Sequence, residues 1–143
     1  HDIFNLFYSD YQTGPSFLHS HTYSGNPLAI SAALATIRTM QEEHTVANAA
    51  HLEGIMMNHL NDIANKTGRL KKIRGLGAVV AADLIADDHV RVGNKIYQQA
   101  LKYGALLRPI GNVLYWLPPL NSDEQTLDKL AKITLQSINA TYA

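Results

Sequence analysis

Two short stretches hold most of the residues that could do chemistry. The first is residues 17–29, FLHSHTYSGNPLA, with His19 and His21 two apart, a hydroxyl run Thr22-Tyr23-Ser24, and Asn26-Pro27 opening an apolar segment. The second is LLRPIGNVLYWLPPL, in which a single arginine, Arg108, stands between Leu107 and Pro109. A structural zinc site needs four protein ligands and a catalytic one three, and no third ligand lies near His19 and His21. His44, His51 and His59 are seven and eight residues apart, not the three or four of paired helical ligands. The histidines are therefore read as loop hydrogen-bonders and helix-surface residues. The hydroxyl run ends at a helix start, where free N–H groups and the helix dipole favour an anion. Thr22, Tyr23 and Ser24 could add donors for a phosphate or carboxylate, or the loop could simply cap the helix. The guanidinium of Arg108 suits bidentate carboxylate recognition; the partner is either a ligand or a carboxylate of the same domain.

Other chemistries find little support. No serine stands in a G-x-S-x-G or S-x-x-K context. Gly75 and Gly77 lack the third glycine of a dinucleotide fingerprint, and the KKIR run before them reads as a solvated edge. There is no cysteine, hence no disulfide, thiolate site or thiol nucleophile. Lys+Arg and Asp+Glu balance at 12 each, which gives no footprint for nucleic acid or a membrane surface. The 143 residues, 46% of them hydrophobic and 17% charged, fit one globular domain with a real core. No apolar run approaches the ~20 residues of a membrane span and no signal-peptide pattern is present; a cytoplasmic location is expected. The chain begins at His1 rather than Met, as a fragment or processed product would.

The elements that must position these groups follow from periodicity. Residues 1–26 are aromatic-rich (Phe4, Phe7, Tyr8, Tyr11, Phe17) with one helical turn between Ile3 and Tyr11, and their aromatics are expected to pack against another body. Asn26-Pro27 is a favourable N-cap and first helical position. Apolar spacing then predicts a helix or bent helix pair from 27 to about 65, broken by the polar Gln41–His44, with Gly68 as the C-cap. Ala29–Ala35 is small and apolar nearly all round, so burial on more than one side is expected. Val79–Ile85 reads as a strand, with Gly75 and Gly77 at a turn or close approach before it. A helix follows from Val92 to Tyr103, stopped by Gly104. ALLRPIGNVLYWLPP reads as strand, turn at Gly111-Asn112, strand. Ser122 and Gln125 form a capping box for a last helix with Leu127, Leu130, Ala131, Thr134 and Ile138 on one face. The fold class is α+β: a small, largely antiparallel sheet with helices packed on one face.

The same two stretches carry a family likeness. FLHSHTYSGNPLA resembles the H-x-x-T-[FY]-x-G-N-P segment of class III pyridoxal-phosphate aminotransferases, and RGLGAVVAADL is similar to the R-x-x-G-x-[IVL] strand opening their small domain. LLRPIGNVLYWLPPL resembles R-P-x-x-x-x-[IVL]-Y-x-[ML]-P-P of the biotin-biosynthesis branch, and the likeness runs from about residue 3 to 139. The resemblance implies the C-terminal small domain of a fold-type-I enzyme over 27–143, with 1–26 leading from a large domain that is not in the chain. It implies an obligatory homodimer and pyridoxal 5'-phosphate bound mainly by that large domain. Thr22 would reach the cofactor phosphate of the neighbouring subunit. Ser20 and His21, where the familiar family form has Gly-Pro, would lie beside cofactor and substrate. Arg108 would bind the substrate carboxylate, with Tyr115 near the same site. The implied substrates are small molecules, S-adenosylmethionine as amino donor and 8-amino-7-oxononanoate as acceptor, in two half-reactions. No lysine here has the family's Schiff-base context, so the resemblance implies that this chain alone does not transaminate. Two alternatives stand beside it. One is a class III aminotransferase acting on an ω-amino acid. The other is a free-standing, non-catalytic binding domain, expected to be monomeric, stable and complete as written, whereas the fragment reading expects exposed apolar surface around residues 3–17 and 28–37.

Overall fold

The computed structural model describes residues 1–15, 17, 19–87 and 90–143, without the side chain of Tyr11. The expected packing of Tyr11 lies outside the described residues. The chain forms two compact units, His1–Thr39 and Met40–Ala143.

The first unit holds α1 (Asp2–Phe7), a 3-10 turn at Tyr11–Thr13 and most of α2 (Pro27–Glu42). Asn26 begins α2 as its sequence position predicts: Oδ1 accepts the N–H groups of Leu28 and Ala29 at 3.0 and 3.1 Å, satisfying two of the donors that a helix start leaves open. The expected burial of α2 is not found, since no residue of α1 or α2 is buried. Leu28 is 81% exposed and Leu34 51%. The aromatics of this unit stack on one another, Phe4 on Tyr8 at 5.1 Å and Phe7 against Phe17 at 5.6 Å, and remain open to solvent. Apolar composition sets what a helix can bury; covering it needs a second surface.

The second unit contains the core. The helical ladder breaks where His44 adopts φ 50°, and α3 (Thr45–Thr67) follows. It ends at Gly68, whose φ of 64° is left-handed and whose N–H closes on the Ala64 carbonyl at 2.8 Å. Three antiparallel strands come in the order β1 (Leu70–Leu76), β2 (Val79–Leu84) and β3 (Val113–Trp116). In β2 and β3 burial alternates, with Val80, Ala82, Leu84, Leu114 and Trp116 on the inner face. That face is covered by Leu52, Met56, Leu60 and Ile63 of α3. The next helices are α4 (Val92–Lys102) and α5 (Glu124–Tyr142). They add Ile96, Ala100, Leu127 and Ile138 to the same core. Each buried Val, Leu, Ile or Met of this core contributes about 1.5–3 kcal/mol on burial. The α+β class, with helices layered on a small antiparallel sheet, is thus observed.

KKIR is the solvated edge expected of it, within β1, an edge strand with only Leu70 buried. The turn and the close approach expected at the two glycines are both present: the turn is at Gly77-Ala78, and Gly75 lies within β1 opposite Val80, where a Cβ would come 3.1 Å from Glu53 Cγ. Arg74 donates to Asp83 Oδ1 at 2.9 Å, stapling a bulge between Lys71 and Arg74. Two other local expectations are corrected. Residues 105–109 form no strand: only a single bridge pairs Ile110 with Val113, because Pro109 has no N–H to give a ladder. The cap of α5 is Asp123 and not Ser122. Asp123 Oδ1 accepts the Thr126 N–H at 2.8 Å, and the Ser122 N–H is already committed to the Pro119 carbonyl at 3.0 Å.

The hydrogen bonds from Thr126 hold the Asp123 carboxyl below its ordinary range. A carboxyl whose pKa is lower folded than unfolded stabilises above its unfolded value and loses that contribution as pH falls through the folded one. Asp123→Ala is therefore expected to melt at a lower temperature than the native chain at pH 7. The gap should narrow as the pH is taken below the ordinary Asp range. Asp123→Asn, which keeps the acceptor without titrating, should hold its cap across the series. Thermal melts of the three proteins from pH 7 to pH 2.5 test this, and a gap independent of pH would contradict it.

Candidate functional site

The loop before α2 is built by its own hydrogen bonds. The His21 N–H donates to Ser24 Oγ at 3.0 Å, the Ser24 N–H to the His21 carbonyl at 2.9 Å, and the Asn26 N–H to the Tyr23 carbonyl at 3.1 Å. The anion-binding capacity expected of the helix start is reduced, because Asn26 itself occupies the N–H groups of Leu28 and Ala29. Among the described residues, the N–H and hydroxyl of Thr22 have no partner, and Thr22 is exposed. A side-chain hydroxyl paired with a backbone N–H suits a phosphate oxygen. Ser20 and His21 stand next to it on the same exposed loop, and the rings of His19 and His21 meet edge to face at 4.8 Å.

Among the described residues, no three of His, Asp and Glu converge on a metal position. Two further histidines bridge helices: His51 Nε2 lies 3.6 Å from Glu124 and His59 Nε2 lies 3.2 Å from Asp128, both across the α3–α5 seam.

Arg108 sits on the segment between α4 and β3, exposed, with Leu107 buried beside it. It borders two hollows. One, of about 450 Å³, is shared with Arg91, Asn94, Tyr97, Leu106, Pro109 and Gly111. The other, of about 360 Å³, has Tyr115, Trp116 and Leu117 on its wall. Tyr115 alternates with the buried Leu114 and Trp116 along β3 and is half-buried. The structure thus brings Arg108 and Tyr115 to one cavity. No Asp or Glu among the described residues pairs with Arg108.

Asn112 is the residue that composition and periodicity undervalued. Read as a turn former, it is a clamp: its Oδ1 accepts the Gly93 N–H at 3.2 Å, its Nδ2 donates to the Val90 carbonyl at 2.9 Å, and its carbonyl accepts the Leu84 N–H at 2.8 Å. Gly93 makes this contact possible. A Cβ there would lie 2.2 Å from the Gly111 carbonyl oxygen and 3.0 Å from Pro109 Cβ. The available signal was Gly93 itself, a glycine near the start of a helix with an otherwise regular pattern.

Gly93→Ala should lower stability by about 1–3 kcal/mol through overpacking, although alanine ordinarily favours a helix. Gly54→Ala is the control, since nothing lies within 4 Å of a Cβ at that position of α3; it should gain about 0.5–1 kcal/mol. Urea midpoints of the two variants against the native chain decide, and changes of the same sign would refute the close-approach reading.

Comparisons with known proteins identify the family. The Aminotransferase class-III family profile matches residues 4–138. The chain is 33% identical over 121 residues to the adenosylmethionine-8-amino-7-oxononanoate aminotransferase of Helicobacter pylori, covering 82% of this chain and 28% of that protein. A 4-aminobutyrate aminotransferase of Mycobacterium leprae is 32% identical, over 78% of this chain and 28% of its own length. The crystal structure of the Methanocaldococcus jannaschii adenosylmethionine-8-amino-7-oxononanoate aminotransferase superposes with a TM-score of 0.80 at 27% identity, covering 97% of this chain and 33% of that one. The chain spans about a quarter to a third of the length of these relatives. With the profile matched over nearly the whole chain, this chain belongs to the class III aminotransferases.

Proposed function

We propose that this chain is the C-terminal small-domain part of a pyridoxal-phosphate aminotransferase that moves an amino group from S-adenosylmethionine to 8-amino-7-oxononanoate. The observation that carries the substrate assignment is the setting of Arg108: a guanidinium beside Tyr115, on a segment held by Pro109 and the Asn112 clamp. The relatives named for that activity point the same way. Residues 1–26 lead from the large domain and 27–143 form the small domain. The exposed apolar residues of α1 and α2, Phe4, Leu6, Leu28 and Leu34 among them, suit faces that pack on the large domain and on a second subunit of a homodimer.

The cofactor, when bound, supplies the electron sink for moving the amino group. The residues of this chain bind and orient. Thr22 donates its hydroxyl and N–H to the phosphate across the subunit boundary, with Ser20 and His21 alongside. Arg108 holds the acceptor carboxylate, and Tyr115 closes the apolar wall beside it. Because the chain carries no lysine in the Schiff-base context, it is inactive without the large domain.

A reading as an ω-amino-acid aminotransferase is favoured by one observation, the likeness to the 4-aminobutyrate enzyme. Single-turnover amino donation to the full-length enzyme separates the two: S-adenosylmethionine should react and ω-amino acids should not. In the same assay Arg108→Ala should slow the acceptor half-reaction about 100-fold, the worth of a bidentate charge-assisted contact. The donor half-reaction should stay within a few-fold. Equal losses in both would remove Arg108 from the acceptor site.

Thr22→Ala should weaken cofactor retention by about 10–100-fold, the range for a hydrogen bond to a charged group, and Thr22→Ser should restore most of it. Titration of the apoenzyme with pyridoxal phosphate, followed by absorbance, provides the measurement. Unchanged affinity in Thr22→Ala would exclude the phosphate contact.

A further inference from the structure

The 450 Å³ hollow beside Arg108 contains a second guanidinium with no assigned role. Arg91 is the N-cap residue of α4, and its side chain makes no capping hydrogen bond. Arg91, Asn94 and Tyr97 are spaced i, i+3 and i+6, which puts them on one helical face. That face forms one wall of the hollow. The rest of its lining comes from the strap between Leu106 and Gly111 that carries Arg108. Among the described residues lining the hollow there is no Asp or Glu, while two arginines, an asparagine and a tyrosine border it.

The two segments are held in register. Asn112 bonds to Val90 and Gly93 on either side of Arg91, and the missing Cβ of Gly93 lets the helix start rest against the Gly111 carbonyl. Two guanidiniums on the border of one hollow, with no carboxylate among its described lining, give it a positive potential that favours a bound carboxylate. The volume is within the range of small-molecule sites, and Leu106 and Pro109 add apolar surface for a carbon chain.

We propose that Arg91 is a specificity-determining residue that binds the acceptor carboxylate together with Arg108, one guanidinium from each segment, with Tyr97 as an additional donor. The ligand class is an aliphatic oxo acid whose carboxylate is remote from its reacting carbonyl. The proposal rests on the reading of Arg108 as the acceptor-carboxylate residue, and its test keeps the two apart.

Full-length enzyme carrying Arg91→Gln, Arg91→Lys or Arg108→Ala is assayed with the oxo acid and with its methyl ester. Arg91→Gln should raise the KM for the acid about tenfold with kcat within about twofold, and the preference for acid over ester should fall by a similar factor. Arg91→Lys should recover at least half of that preference, which a purely structural role at the helix start would not require. The donor half-reaction should be unchanged in both Arg91 variants. If Arg108→Ala loses the acid preference while Arg91→Gln keeps it, the role of Arg91 is overturned and that of Arg108 stands. If neither variant alters the preference, the acceptor reading falls and this proposal with it. A fall in kcat at unchanged KM in Arg91→Gln also overturns it.

Discussion

The contact between Gly93 and the Gly111 carbonyl, riveted by Asn112, is the constraint on which the arrangement around Arg108 depends. One side chain and one carbonyl reach the end of β2 at Leu84, the start of α4 at Val90 and Gly93, and, through the chain itself, the first residue of β3. The start of α4, which belongs to no ladder, is thereby fixed to the corner where β2 and β3 begin their pairing at Asp83 and Val113. The strap carrying Arg108 has almost no regular structure, only the bridge between Ile110 and Val113. Its position comes from the anchors on either side: Leu107 in the core, Pro109 against Gly93, and Asn112 at the clamp. An exposed arginine on such a segment is held more firmly than its exposure suggests, because its backbone is held even though its side chain is not.

How far these features could be read in advance depended on their range along the chain. Asn26-Pro27 and Gly68 were readable because a cap is satisfied by neighbours within a few residues. The face of α5 was readable because Leu127, Ala131, Thr134 and Ile138 repeat at 3.6. Asn112 was not, since its partners are 19 and 22 residues away and a turn former looks the same with or without them. β1 was obscured by its own surface: an edge strand that buries only Leu70 shows charge where strands usually show alternation. Ser122 and Asp123 are equally good caps by residue type, and only the fold shows that the Asp123 carboxylate is the one that meets the Thr126 N–H. For the site itself, Thr22 and Arg108 stood out as residues of unusual type in their contexts. Arg91 and Tyr97, ordinary for an exposed helix start, needed the fold to bring them to the same hollow.

Two consecutive helices of similar apolar content meet opposite fates. α3 sends Leu52, Met56, Leu60 and Ile63 into the core, whereas Leu28, Leu34 and Ile37 of α2 stay exposed. Periodicity cannot distinguish them, because it reports which residues could share a buried face and not whether that face has a cover. The same difference separates the two groups of candidate contacts. Arg108 and Tyr115 are placed by long-range ties within a packed core. Thr22 is placed by bonds that span three residues or fewer, from Ser24 back to His21 and from Asn26 to the first turn of α2. Local bonds of that kind set the shape of a loop but open at little cost in free energy. A phosphate ligand held there gains its rigidity from whatever surface covers α2. Under the proposed function this makes cofactor contact depend on assembly in a way that carboxylate contact does not: the Arg108 side is organised within the small domain itself, and the Thr22 side only when a partner surface closes over the helix behind it.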